Sequence, residues 1–292
     1  MTDLKCLTTK EVARLCRVSD ATVKRWQEAG LLQSERTSGN HRRFRPEEVA
    51  RFQRAQGLGL KRCRGDESVL AASTRKRGGK TFSSSTLFQS LTAGCEEAAA
   101  NVLISAYLEE KSLAEIFDDL ICPAMRQIGE LWAGGQISIT QEHLATRVAH
   151  NAIYKLRQTL SVSKNVEKTA MCCALEGDFH ELPTHLAQMT IENEGWETIN
   201  FGANTPLYAL TEEILRRKPD LVCISGAVMN DAEHIFRDYQ ALRLQTAKPK
   251  IPFMLGGKVF AAEQMRARFP AEFYAGNFAD VAGFVQSLTN QN

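Results

Sequence analysis

The chain has 292 residues, a net charge of +2, 43% hydrophobic residues and 8 cysteines. This length exceeds one ordinary domain, so we expect two or three compact units, each with its own core. No apolar run approaches the ~18 to 20 residues of a membrane span, and the first residues lack a secretory signal, which together predict a cytoplasmic protein.

The small net charge conceals two oppositely charged regions. Residues 1–80 contain 19 Lys and Arg against 9 Asp and Glu, a net charge of +10, whereas the remainder has a net charge of −8. A basic region joined to an acidic one is expected when only the first meets phosphate. The cysteines are scattered without a CxxC pair, so we predict reduced, mostly buried thiols rather than disulfides or a zinc site.

The N-terminal unit begins with two short helices. Thr8 and Glu11 have the spacing of a capping box, which predicts a helix that starts near residue 8. Ser19 or Asp20 can cap a second helix, and Gly30 is placed to end it. Two short helices with a tight connection are typical of a helix-turn-helix.

A predicted wing and a third helix follow. Two polar, arginine-bearing arms flank a turn at residues 38–40, and Pro46 can open a helix. The pattern favours a β-wing, with Trp26, Leu31 and Leu32 in the core of the unit.

A linker and a helical bundle come next. Residues 65–85 are rich in Lys, Arg, Gly and Ser, which predicts a flexible linker. Helical apolar spacing over residues 86–163 predicts a four-helix or near-four-helix bundle, in which residues 112–132 form one helix. Ser138 and Gln141 form a second capping box, at the start of the last helix.

Residues 164–292 alternate short apolar runs with amphipathic helices. The runs TAMCCAL, TINF, LVCISG, PFMLGG and EFYAG predict five parallel strands in a doubly wound α/β domain. In such a sheet, ligands bind beyond the carboxyl ends of the strands, where the strand order reverses. The loops that begin at Asp178, Ser225 and Gly256 should therefore lie on one edge of the sheet.

His180 is the candidate metal ligand in the first of these loops. A neutral imidazole can bind a metal through one nitrogen while Asp178 holds the other. The alternative is that His180 caps the following helix. Pro183 falls in the first turn of that helix, where proline is tolerated.

The segment LEGDFHELP, followed by SG and GG, resembles the Rossmann-like (flavodoxin-like) cobalamin-binding domain. In that family the histidine is the lower axial cobalt ligand, the serine contacts the displaced nucleotide tail, and the Gly-Gly pair lets the tail approach the backbone. The resemblance assigns these roles to His180, Ser225 and Gly256-Gly257, with Asp178 beside the histidine. Pro183 stands where the family has glycine, which would reshape the groove for the tail.

The segment LWAGGQISITQEHLA resembles the signature of the helical cap that covers the upper face of a cobalamin. The matching positions are Trp132, Gly135, Glu142 and His143. From the residues alone, the alternative is that Trp132 is a core aromatic of the bundle and that Glu142 and His143 form a solvated helix start.

Residues 1–64 resemble the MerR-type winged helix-turn-helix, through TTKEVARLCRVSDATVKRWQEAGLL and GNHRRFRPEEV. The resemblance implies that Thr22, Lys24 and Arg25 of the second helix contact base edges in the major groove of an operator. The implied wing contacts, to phosphate or an adjoining minor groove, are Asn40, His41, Arg42 and Arg43.

Together the three units resemble the CarH/LitR group of cobalamin-dependent, light-responsive repressors. The resemblance implies a regulator without enzymatic activity, in which adenosylcobalamin assembles a DNA-binding tetramer in the dark and light takes it apart. Photosensors of the group carry histidine after the cap tryptophan, where this chain has Ala133. Cobalamin binding and light response are therefore separate predictions.

Three alternatives stay open. The pocket could admit another tetrapyrrole such as a bilin, the C-terminal units could bind a protein partner without a cofactor, or the chain could be a corrinoid methyl-carrier module. The DNA-binding head argues against the last. A single winged helix reads few base pairs, so we expect a dimer or tetramer on repeated half-sites in any regulator.

Overall fold

The computed structural model of the chain describes residues 6–16, 18–37, 39, 41–56, 83–160, 167–247 and 250–290. Its contacts define two compact units, Met1–Ser112 with Asp119–Ser161 and Leu113–Asp118 with Val162–Asn292. The predicted linker up to residue 82 and Asn40 of the predicted wing lie outside the described residues. Across the described ranges, no helix combines the length and the apolar character that crossing a bilayer requires.

The first unit opens with the predicted helix-turn-helix. The Thr8 hydroxyl accepts a hydrogen bond from the Glu11 amide at 3.3 Å, and the Glu11 carboxylate accepts one from the Thr8 amide at 2.7 Å, which confirms the capping box. Ser19 caps the second helix, and Gly30 follows its end at a φ of +72°, which glycine adopts without strain. The bounds are β1 (Leu7–Thr8), α1 (Thr9–Leu15) and α2 (Asp20–Glu28).

The wing and the third helix are also present. The bounds are β2 (Glu35–Arg36), β3 (Arg42–Phe44) and α3 (Pro46–Ala55), and the strands form an antiparallel sheet in the order β1-β3-β2. Leu32 is buried, and the ring centroids of Trp26 and Phe52 lie 4.7 Å apart. Leu32 and Trp26 therefore belong to the core of the unit, as predicted. The expectation for Leu31 is wrong because the turn after Gly30 leaves it 54% exposed.

Four further helices of the first unit form the bundle. The bounds of the helices in this region are α4 (Ser84–Thr92), α5 (Glu96–Leu108), α6 (Leu113–Ile116), α7 (Cys122–Ala133) and α8 (Ile139–Thr159). α5 packs against α8, and α4 contacts α5, α7 and α8. α3 of the head packs on α5 and α8 within the same unit. Ser138 and Gln141 cap α8 as predicted.

The second unit is the predicted α/β domain. The bounds are β4 (Thr169–Ala174), α9 (Leu182–Asn193), β5 (Glu197–Asn200), α10 (Leu207–Arg217), β6 (Leu221–Ser225), α11 (Ala232–Gln245), β7 (Phe253–Gly256), α12 (Glu263–Arg268), β8 (Phe273–Ala275) and α13 (Phe278–Thr289). The five apolar runs form the five strands, which pair in parallel in the order β5-β4-β6-β7-β8.

Consecutive residues of the central strands alternate between two cores. Met171 and Cys173 of β4 pack with residues of α10 and α11, whereas Cys172 packs with residues of α9 and α13. Successive side chains of a strand point to opposite faces, so helices on both faces explain the uninterrupted apolar runs. Burial raises the pKa of the Cys173 thiol, and a hydrogen bond with Cys223 together with burial raises that of Cys172. Cys172, Cys173 and Cys223 are buried free thiols.

The helix predicted over residues 112–132 is not continuous. A π-helical turn, Phe117–Ile121, separates α6 from α7. Pro123 in the first turn of α7 explains the break, because it lacks the N–H that would bond one turn back and its ring crowds the carbonyl there. Leu113–Asp118, predicted as part of the bundle, instead packs on α9 and α13 of the second unit.

Candidate functional site

The strand order reverses between β4 and β6. In this fold the loops that leave the carboxyl ends of two such strands flank a crevice that holds ligands. Asp178 and His180 follow β4, Ser225 ends β6, and Gly256 ends β7 with Gly257 directly after it. The structure therefore gathers these predicted residues on one edge of the sheet, which we call the ligand rim.

A buried carboxylate orients the imidazole on the ligand rim. Asp178 is fully buried, and its Oδ1 lies 2.7 Å from Nδ1 of His180. Its Oδ2 accepts a hydrogen bond from the Ala227 amide at 2.6 Å, so Asp178 links the loops after β4 and β6. An ionised carboxylate can only accept a hydrogen bond, so Nδ1 of the neutral imidazole carries the proton. Nε2 then carries the lone pair that a metal ion requires.

The charge state of Asp178 suits this role. Burial raises the pKa of its carboxyl, but hydrogen bonds from the His180 ring and the Ala227 amide outweigh burial and leave that pKa below its usual value. Asp178 is therefore ionised at neutral pH and holds the ring with a full negative charge. His180 does not cap the next helix, because Glu181 is the N-cap of α9 and no side chain bonds there.

Two glycines are required where the loops after β6 and β7 meet. Gly257 has a φ of +95°, and a Cβ on it would lie 2.5 Å from the Gly226 carbonyl oxygen. A Cβ on Gly226 would lie 2.9 Å from Leu175 Cδ1, whereas one on Gly256 would make only an ordinary contact of 3.4 Å. Gly257 is thus the constrained member of the predicted pair, and its partner Gly226 was not among the predicted site residues.

Two further residues that the sequence singled out, Ser225 and Pro183, lie at the end of β6 and at the start of α9. Ser225 is half-buried, and its carbonyl accepts a hydrogen bond from the Leu175 amide at 3.0 Å. Pro183 lies in the first turn of α9, where the missing N–H has no helical partner to lose.

Two apolar side chains of the rim loops were missed by the sequence prediction. Phe179 is 75% exposed and Val228 is 39% exposed. Exposed apolar groups beside an oriented polar group are characteristic of sites that cover an apolar ligand surface. Their position next to Asp178 and Ala227 in the strand-end loops was the signal that could have identified them.

The predicted cap residues lie at the connection between α7 and α8 of the first unit. Trp132, in the last turn of α7, is 48% exposed, so it is not a core aromatic of the bundle. Glu142 is half-buried and His143 exposed in the first two turns of α8. Ile139 and Leu144 of the same turns are also exposed, at 44% and 38%. This connection presents an apolar surface with one carboxylate and one imidazole.

The second helix of the head presents the predicted base-contacting residues. Lys24 and Arg25 are exposed on α2. Thr22 is half-buried, and its hydroxyl lies 3.0 Å from the Ser19 hydroxyl, so it contributes to the helix cap. We call the exposed surface of α2 and the wing the DNA face.

The predicted wing residues differ in how the protein holds them. Arg42 donates hydrogen bonds to Gln27 at 2.9 Å and to Glu28 at 3.2 Å, and its side chain is 22% exposed. It therefore joins the wing to α2. His41 is exposed, and Arg43 is half-buried on β3.

The residues of the ligand rim fit a corrinoid. A neutral imidazole oriented by a buried carboxylate is a suitable donor for a cobalt ion. Phe179 and Val228 offer apolar surface beside it. The close approach of Gly226 to Gly257 keeps side chains out of the space between two rim loops.

Comparison with known families identifies three segments of the chain. Residues 8–44 match the model described as MerR family regulatory protein. Residues 85–157 and 169–281 match two models, each described as B12 binding domain. The chain thus combines a MerR-type regulatory region with a helical and a Rossmann-like B12-binding domain, and the predicted fold class is confirmed.

Curated relatives include both regulators and an enzyme. The chain is 24% identical to the HTH-type transcriptional repressor CarA of Myxococcus xanthus over 90% of each chain. It is 26% identical to the repressor CarH of that organism over 51% of this chain and 48% of CarH. It is 21% identical to methionine synthase of Mycobacterium tuberculosis over 72% of this chain but only 18% of the enzyme. The chain thus spans under two thirds of CarH and of methionine synthase.

A solved structure supports the fold of about two thirds of the chain. The monomethylamine corrinoid protein of Methanosarcina barkeri matches with a TM-score of 0.56 and 17% identity, over 69% of this chain and 96% of that protein. At this identity the likeness concerns the fold.

Proposed function

We propose that this chain is a transcriptional repressor whose assembly and operator binding depend on a bound cobalamin. The proposal starts from its MerR-type region and its two B12-binding domains. The observation that carries the proposal is the hydrogen bond between buried Asp178 and His180 on the ligand rim. Similarity to the repressor CarA over 90% of both chains supports it. Action as a regulator rather than an enzyme, in the cytoplasm, is part of the proposal.

His180 is the proposed lower axial ligand of cobalt. Asp178 orients the ring and keeps the proton on Nδ1, so Nε2 is the ligating atom. Ser225 and the Gly256-Gly257 pair are the proposed contacts of the nucleotide tail. When bound as adenosylcobalamin, the cofactor supplies a cobalt–carbon bond that light can cleave.

We propose that Trp132, Glu142 and His143 of the helical B12-binding domain contact the upper face of a cobalamin. The exposure of Trp132 supports this role. Its indole is 48% exposed, and covering this apolar surface with a ligand would remove it from water. Ala133 offers no metal-binding group after the tryptophan. We therefore propose cobalamin itself as the first input and light as a separate, second input.

Assembly is the proposed link between the cofactor and DNA. A ligand that binds the assembled protein better than the monomer shifts the equilibrium towards the assembly by its differential affinity. Two DNA faces can then engage half-sites one helical turn apart, roughly 34 Å. Thr22, Lys24, Arg25 and the wing residues Asn40, His41, Arg42 and Arg43 are the proposed operator contacts.

Size-exclusion chromatography of the full chain with adenosylcobalamin tests the proposal directly. We expect the protein to retain the corrinoid in the dark and to elute as a dimer or tetramer, whereas the protein without corrinoid elutes as a smaller species. A duplex selected from a randomised library should bind only the larger species. The same run after green illumination tests the light input.

Each outcome has a defined meaning. A chain that elutes colourless after incubation with adenosylcobalamin contradicts the cobalamin proposal and favours control by a protein partner. Retention of a bilin but not of cobalamin would favour another tetrapyrrole. Retention of cobalamin without DNA binding in any form would favour a corrinoid carrier module. The chain shares its fold with one corrinoid protein.

A further inference from the structure

Three metal-ligating side chains that the proposed corrinoid site does not use converge in the α/β domain. Glu176 lies in the loop after β4, and His234 and Asp238 lie one turn apart on α11. One ligating atom from each can be chosen so that all lie within 4.8 Å of one another. From this convergence we propose a binding site for a first-row divalent cation, with Zn²⁺ as the ion to test.

The distances within the cluster suit a shared ion. Nε2 of His234 lies 3.4 Å from Oε2 of Glu176 and 3.7 Å from Oδ2 of Asp238. Ligands bonded to zinc at about 2.0 to 2.2 Å stand roughly 3.0 to 3.6 Å apart around the ion. The distances from His234 to Glu176 and to Asp238 are therefore within a few tenths of an ångström of that spacing.

The backbone on both sides of the cluster is held in place. The His234 amide donates to the Asp231 side chain at 3.0 Å, in the cap of α11. The Gly177 amide, next to Glu176, donates to the Asn204 side chain at 2.8 Å. The three ligands are 26% to 40% exposed, so an ion can reach them while their side chains remain partly packed.

Charge and donor type both favour a transition-metal cation. With a neutral imidazole, two carboxylates give the cluster a charge of −2, which a divalent ion neutralises. One nitrogen and two oxygens suit Zn²⁺ and its neighbours, whereas Ca²⁺ and Mg²⁺ prefer oxygen ligands alone. Within the described part of the chain, this is the group of three His, Cys, Asp or Glu residues whose ligating atoms lie within 4.8 Å of one another.

The ion would cross-link two segments of the domain. Glu176 precedes Asp178 by two residues, so the cation would tie the loop that carries His180 to α11. Any effect on cobalamin retention rests on the function proposed above. The ion site itself does not, and its test needs neither corrinoid nor DNA.

Zinc content of the full chain provides the test. Protein stripped with a chelator and dialysed against micromolar Zn²⁺ is analysed by mass spectrometry for metal per chain. We expect Glu176→Gln and Asp238→Asn each to hold one zinc ion fewer than the wild type, because losing a ligand weakens binding by about 100-fold or more. Zinc should raise the Tm of the wild type by several degrees and leave both variants unchanged.

His185→Ala is the matched control. His185 pairs with Glu181 at 3.5 Å with the same four-residue helical spacing as His234 and Asp238. We expect it to hold as much zinc as the wild type. Equal zinc content in the wild type, Glu176→Gln and Asp238→Asn, or an equal shift in Tm, would overturn the proposal. The two isosteric variants keep side-chain volume, so folding should be preserved in both.

Discussion

The ligand rim and the DNA face position their functional side chains in different ways. On the ligand rim, His180 is oriented by a fully buried carboxylate that a backbone amide holds in turn. On the DNA face, Lys24 and Arg25 project from the surface of α2. Arg42 is bonded to α2 instead.

The difference matches what each site would recognise under the proposed function. A metal ion needs one nitrogen in one direction, so a buried hydrogen-bond chain is effective there. Phosphates are recognised largely through charge, which acts over several ångströms and tolerates side-chain motion. Single substitutions should therefore have large effects on the ligand rim and small, salt-dependent effects on the DNA face.

The largest expected effect is that of His180→Ala. We expect adenosylcobalamin affinity to fall by more than about 100-fold, because losing a residue that merely orients a ligand already lowers metal affinity by ~10- to 100-fold. The absorption spectrum of any retained corrinoid should change from the form with a protein imidazole to the base-off form without one. An unchanged spectrum would show that His180 is not the ligand.

Gly257→Ala should have the next largest effect, on folding stability. Its Cβ would lie 2.5 Å from the Gly226 carbonyl oxygen at a φ of +95°, and such overpacking lowers the free energy of unfolding by about 2 to 3 kcal/mol. Gly256→Ala is the matched control, with an expected loss below about 1 kcal/mol. Urea unfolding of both variants measures the difference. Similar losses would mean that the two loops separate easily.

Asp178→Asn should weaken the corrinoid site without removing the ligand. We expect ~10- to 100-fold weaker cobalamin binding and a loss of about 1 to 3 kcal/mol in unfolding free energy at pH 7. The folded-state pKa of Asp178 lies below its ordinary value, so the carboxylate stabilises the wild type at neutral pH, and this contribution disappears as the pH falls through the folded-state pKa. Urea titrations at neutral and acid pH should therefore show the two proteins converging in acid.

The smallest effects are expected on the DNA face. Arg43→Ala should lower operator affinity several-fold and flatten its log–log salt dependence by about 1, because the wing arginines are the proposed phosphate contacts. Arg42→Ala should flatten it less, because Glu28 already neutralises that guanidinium. Fluorescence anisotropy at several salt concentrations measures both slopes. Equal slopes would show that Arg42 leaves Glu28 for phosphate in the complex.

Much of this protein could be predicted from short-range sequence features. The capping boxes at Thr8 and Ser138 are confirmed, because a cap depends on residues three positions apart. The five strands were recognisable because a sheet covered on both faces requires continuous apolar runs. Asp178 and His180 were recognisable because they follow such a strand two residues apart.

Other features were decided only by contacts between distant residues. Residues 112–132 read as one apolar helix, yet Leu113–Asp118 packs on α9 and α13. The attachment of Arg42 to Glu28, the meeting of Gly226 with Gly257 and the convergence of Glu176 on His234 each join separate loops or helices. Local periodicity predicts which face of an element is buried, but not which partner covers it, because that partner is selected by packing across the whole unit.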